Sequence, residues 1–93
     1  MSSGRMEDLA ISFPALEGAP GTLPWDAEAF DRWAATSPEP GSGALHAARF
    51  VLAVWNDRAP WKAGSFQAIS ALGTWDGEHR AAFLAWAQAP WFP

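Results

Sequence analysis

The sequence has no cysteine and no tyrosine. Without cysteine there is no disulfide staple and no thiolate to bind a metal, a usage that fits a reducing compartment. Charge is scarce too: six Lys and Arg against ten Asp and Glu leave a net charge of −4 over 93 residues. The six basic residues are scattered, whereas a phosphate backbone is held by several presented together, so direct nucleic-acid binding is disfavoured. Long hydrophobic runs are missing, and a membrane span needs about 20 successive apolar residues. The start, MSSGRMEDLAISFP, carries one Arg followed by acidic residues, unlike a secretory signal with its basic head and apolar block. The expectation is a soluble cytoplasmic protein with no membrane partner. The second methionine, Met6, reads as a natural start behind an appended Met1 to Arg5. No phosphate loop, nucleophile elbow, dinucleotide fingerprint or paired-His motif occurs, so no cofactor and no metal is expected.

What the chain has in quantity is aromatic rings, seven Trp and six Phe. Each can bury roughly 150–250 Å², so a short chain gains a core from few, large side chains. With 49% apolar and 17% charged residues, the composition is that of a folded domain and not a disordered chain. A wealth of Ala, Gly, Pro and Trp with a single Lys points to a GC-rich bacterial or phage genome.

Periodicity predicts an all-α fold, a compact bundle of about four short helices behind an extended N-terminal segment. Residues 1–22 form that segment and 23–93 a single helical domain. Leu9, Ile11 and Phe13 alternate with polar or small residues, which is strand spacing, although no partner strand is evident. A helix over 26–36 has Asp26 as N-cap, Trp25 stapled to Phe30, and Ala27, Phe30, Trp33 and Ala34 inward. Glu28, Asp31 and Arg32 are expected to face water. A helix over 42–56 is apolar nearly all round, from Leu45 to Trp55, and such a helix is central. Its only polar or small stripe is His46, Arg49, Ala53 and Asn56. A short helix over 65–72 turns Phe66, Ile69 and Leu72 inward, with Ser65 as cap and Gly73 as stop. A last helix over 76–88 carries His79, Ala82, Phe83 and Trp86 on its inward face. Pro24-Trp25 and Pro60-Trp61 open similar segments, and Trp75-Asp76 echoes Trp25-Asp26. The offsets of 36 and 50 conflict, so a packing device used repeatedly explains them better than tandem repeats.

The chemistry-bearing candidates are few. His79 beside Asp76 and Glu78 has the residue types of a general base near neutral pH. The same carboxylates sit where an N-cap and a first-turn anion belong, and His79 lies on the inward face. Asp76, His79 and His46 fall short of the four ligands of a closed metal site. His46, Arg49 and Asn56 form a stripe suited to a partner's carboxylate or backbone. Trp33, Trp55 and Trp86 are expected in the core. Trp25, Trp61 and Trp91 each follow a Pro in a connection or tail, where aromatic anchors favour interfaces. The leading expectation is a non-enzymatic protein-protein interaction module with binding residues Trp25, Trp61, Trp91, His46, Arg49 and His79. Its partner would be another protein or a second copy. Two alternatives are a small acidic inhibitor of a nucleic-acid-processing host protein, of phage or mobile-element type, and a small enzyme using His79 with Asp76 or Glu78.

Overall fold

Among the described residues five helices form, one of them central. The computed structural model describes residues 3–93, and the reading of Met1 to Arg5 as an appendage falls in part outside them. The helices are α1 (Ser3–Ile11), α2 (Ala27–Thr36), α3 (Gly43–Asn56), α4 (Ala68–Thr74) and α5 (Gly77–Gln88), with a single 3-10 turn at Pro14–Leu16. Among the described residues there is no strand, only an isolated bridge between Thr22 and Trp25. The fold is all-α, with five helices in place of about four. The radius of gyration is 11.7 Å, against about 12 Å expected of a compact chain this long. No described helix is long and apolar enough to cross a membrane.

The additional helix is the N-terminal one. Alternation of Leu9, Ile11 and Phe13 suggested an extended strand, yet Ile11 is exposed. The buried set is Met6, Leu9, Ala10 and Phe13, spaced i, i+3, i+4 and i+7 as a helix face requires. Met6 supplies the first member of that series, so its reading as a start concealed the period. Pro14 cannot continue the helix, and the chain turns through Pro14–Leu16, burying Leu16. The Glu7 carboxylate accepts the Trp25 N–H at 2.9 Å, which fastens the following loop to α1. In that loop Gly21 has φ +84°, and a Cβ there would lie 2.5 Å from the Phe30 backbone nitrogen, so no other residue fits.

Helices α2, α3 and α5 begin where their caps lie. Asp26 accepts from Ala29 N, Ser42 from Leu45 N and Asp76 from His79 N, each satisfying a donor with no partner inside the helix. Trp25 packs on Phe30 with ring centroids 5.5 Å apart, the hydrophobic staple. Helix α3 is the axis of the fold: α1, α2, α4 and the 3-10 turn all pack on it, and it buries residues from Leu45 to Val54. Phe50 is its aromatic hub, 5.1–5.7 Å from the rings of Phe13, Phe66, Phe83 and Trp86.

Two local expectations fail. Helix α4 starts three residues later than predicted, with no side-chain cap, and Ser65 takes no part in it. The shift turns Ile69 outward, 85% exposed, and Ala71 inward. Gly73 lies within the helix, and the chain leaves it through Trp75. Among the tryptophans the enclosed one is Trp75, 2% exposed, with its indole N–H donated to Gly43 O at 3.0 Å. Trp33, Trp55 and Trp86 are half-buried against the core. An indole in a connection reaches inward from a helix end, whereas one on a helix face shares its bulk with solvent.

Candidate functional site

The predicted site residues divide into separate groups. His79 is buried on the first turn of α5. Its Nε2 accepts the backbone N–H of Ala15 at 3.1 Å, so Nδ1 carries the proton and faces Asp76 Oδ1 at 2.8 Å. Both ring nitrogens are therefore engaged within the chain, and His79 ties α5 to the 3-10 turn. The His79 backbone N–H, and next its ring N–H, hold the Asp76 carboxyl below the usual carboxylate range. This arrangement suits a brace, since a general base needs a lone pair open to substrate.

Trp25, Trp61 and Trp91 are each half-buried, in different surroundings. Trp25 lies against Phe30 and Trp55, with its indole nitrogen buried and unpartnered. Trp91 lies under the Arg5 guanidinium, 4.1 Å from its ring centroid, a cation–π contact. Its carbonyl accepts the Trp86 indole N–H at 3.1 Å. These contacts close the C-terminal tail over α1 and α5. Trp61 donates its indole N–H to Asn56 O at 2.7 Å.

Trp61 and Arg49 come together. Helix α3 and its C-cap supply Arg49, Ala53 and Asp57 at i, i+4 and i+8 as the floor of a cleft of about 340 Å³, and Trp61, Ser65 and Phe66 form its wall. The wall is a loop held by buried charge. Asp31, expected to face water, is only 6% exposed. Its carboxylate accepts the backbone N–H groups of Lys62 at 3.0 Å and Ala63 at 2.9 Å, which satisfies a charge that burial would otherwise penalise. Asp31 sits four residues after Ala27 and three before Ala34, on the margin of the inward face, and that position was its signal. From the other side, Arg49 Nε donates to Ala63 O at 2.6 Å. Gly64, φ +95°, lets the guanidinium lie against the backbone, since a Cβ there would sit 3.1 Å from an Arg49 terminal nitrogen.

His46, one turn before Arg49 on α3, is 5% exposed, and its Nδ1 has no partner. Burial, and then the Arg49 charge, push the His46 imidazole below its ordinary value. His46 does not line the cleft. Among the described residues no group of three His, Cys, Asp or Glu could hold a metal.

A second opening shares Ala53, Asp57 and Phe66 with the first. It is an apolar groove of about 290 Å³, floored by Phe50 and Val54 and flanked by Phe83, Trp86 and Phe92. Sequence reasoning missed it, because Phe92 lies beyond the last helix and Phe66 before α4, where no period applies. Compared with known proteins, the chain matches no family model, no curated protein and no solved structure.

Proposed function

We propose that the chain is a non-enzymatic module that binds another protein by seating an apolar side chain of its partner in the groove of Phe50, Phe66, Phe83, Trp86 and Phe92. The observation that carries this reading is Phe92, 68% exposed at the lip of that groove while its ring meets Trp86 edge-on at 5.6 Å. Aromatic residues around a concave apolar surface are the usual anchors of an interface. The net charge of −4 and Asp57 on the rim favour a partner whose apolar anchor is flanked by Lys or Arg. We give the anchor role to this groove in preference to the Pro-Trp tryptophans, because Trp25, Trp61 and Trp91 lie in different settings. The braced imidazole of His79 gives no support to the enzyme alternative.

The test is capture from lysates of the native host with immobilised wild type, Phe92→Asp and Ile69→Asp. The expected result is a species held by wild type and by Ile69→Asp and lost with Phe92→Asp. An identical catch for all three removes the groove from the interaction. Sedimentation velocity of the same proteins reads self-association through this face.

A further inference from the structure

Beyond that reading, we propose that the cleft between α3 and the loop of residues 57–66 binds a short ω-amino carboxylate, a zwitterion whose ammonium and carboxylate are separated by a methylene chain. The cleft carries one charge of each sign at its two ends. Arg49 and Asp57 are eight residues apart along α3 and its C-cap, about 12 Å along the helix axis. Among the described residues neither is in an ion pair, the one acid–base side-chain pair being His79 with Asp76. Arg49 spends Nε on Ala63 O. Its two terminal nitrogens make no hydrogen bond, and neither is shut off from solvent. The result is a guanidinium held in place with its outer edge free, the geometry that grips a carboxylate with two parallel N–H groups.

Besides the two charges the lining offers apolar surface from Ala53, Trp61 and Phe66, with the Ser65 hydroxyl among them. The apolar part of that surface fits methylenes, and the two charges fit the ends of the chain. An α-amino acid has its charges too close together to reach both ends. A fatty acid or an alkylamine would satisfy one end and leave the other facing apolar ligand, an uncompensated desolvation. The volume, about 340 Å³, lies at the small-ligand end of the range for binding pockets. The wall is organised before any ligand arrives, because Asp31 and Arg49 hold Ala63 from opposite sides and Trp61 is fixed to Asn56. Little ordering is left for binding to oppose.

The probes are 4-aminobutyrate, 5-aminopentanoate and 6-aminohexanoate, with hexanoate, hexylamine and glycine as controls. Each is titrated into the full chain while the Trp61 indole N–H and Arg49 Nε–H resonances are followed. At millimolar concentration one of the ω-amino acids saturates both signals, and the three controls bind roughly tenfold or more weakly. Asp57→Asn makes none of the hydrogen bonds that hold the loop, so it tests the site without risk to the fold. It is expected to weaken the best ω-amino acid about tenfold and to leave hexanoate unchanged or tighter. Arg49→Gln is expected to abolish binding of both. Nα-acetyl-lysine presents the same two charges on a peptide frame; if it binds tighter than 6-aminohexanoate the source is a C-terminal lysine, and if weaker, a free amino acid. Hexanoate binding as tightly as any ω-amino acid, Asp57→Asn without effect, or no response to any probe each overturns the proposal. The interaction reading is tested separately, since Phe92 lies outside this cleft and Phe92→Asp leaves both charges in place.

Discussion

Phe50 lies between two populations of large apolar side chains that differ in what encloses them. On one side Met6, Phe13, Leu16 and Phe30 have no exposed surface. On the other Phe66, Phe83 and Trp86 are half-buried and Phe92 is mostly exposed. The same ring chemistry meets Phe50 from both sides at similar distances. The difference lies in the backbone elements behind the rings. Phe13 is backed by α1 and the 3-10 turn, both packed on α3. Helix α5 buries only His79 and reaches the core through large side chains, so it stands off from α3 and leaves a groove between them. One region is closed around the core and the other leaves an apolar groove at the surface.

The sharpest way to break that division is to truncate a ring on each side. Phe13→Ala opens a cavity in a closed core and is expected to lose about 3–5 kcal/mol in urea denaturation. Phe92→Ala removes a mostly solvated ring and is expected to stay within about 0.5 kcal/mol of wild type. Comparable losses would make both regions core and remove the basis for a docking groove. Next in size is Asp31→Ala. It leaves the Lys62 and Ala63 N–H groups without their acceptor and is expected to cost about 2–3 kcal/mol. Amide exchange should accelerate at Lys62, Ala63 and Gly64 before the rest of the molecule. Uniform acceleration would mean that the loop is part of the global core.

The boundary between the two regions follows what the sequence made legible. Helices α2, α3 and α5 announce themselves through apolar residues at helical spacing, α2 and α5 also through caps at Asp26 and Asp76, and all three form there, with Ser42 supplying the cap of α3. The closed side lost clarity at its N-terminus, where Ile11 mimics strand alternation and Met6 completes a helix series. On the open side α4 has no cap residue at all, so its start is fixed by how the preceding loop is tied down. Those ties are long-range: Asp31 to residues 62 and 63, Arg49 to 63, His79 to 15. Neither spacing nor propensity encodes a contact between residues thirty or sixty apart. Arg49 and Trp61 stood out one by one in the sequence as candidates, and the cleft that both line did not. Asp57 and Phe66, which complete it, occupy a helix end and a loop, where side-chain direction has no period.

The smallest expected effect is a pH dependence with two windows, one set by His46 and the other by Asp76. The folded His46 has a pKa below its ordinary 6.5, because burial and then Arg49 oppose its charge. The unfolded chain therefore takes up this proton first as pH falls. The His46 contribution to stability is complete above 6.5, declines as pH drops through 6.5 toward the folded value, and changes no further below it. Asp76 acts in a lower window. Its carboxyl is held below its ordinary 3.8 by the His79 backbone and ring N–H groups, so its contribution is present above 3.8 and is lost as pH falls through the folded value. His46→Met keeps the volume, removes the unpartnered Nδ1, and should change neutral-pH stability by no more than about 1 kcal/mol. Urea midpoints measured between pH 8 and pH 3 (a span set by those two windows) should show the upper decline flattened in His46→Met and the lower one intact. Asp76→Asn should do the converse. If His46→Met keeps the full upper decline, the group that titrates in mild acid is elsewhere and His46 is not the source of that decline.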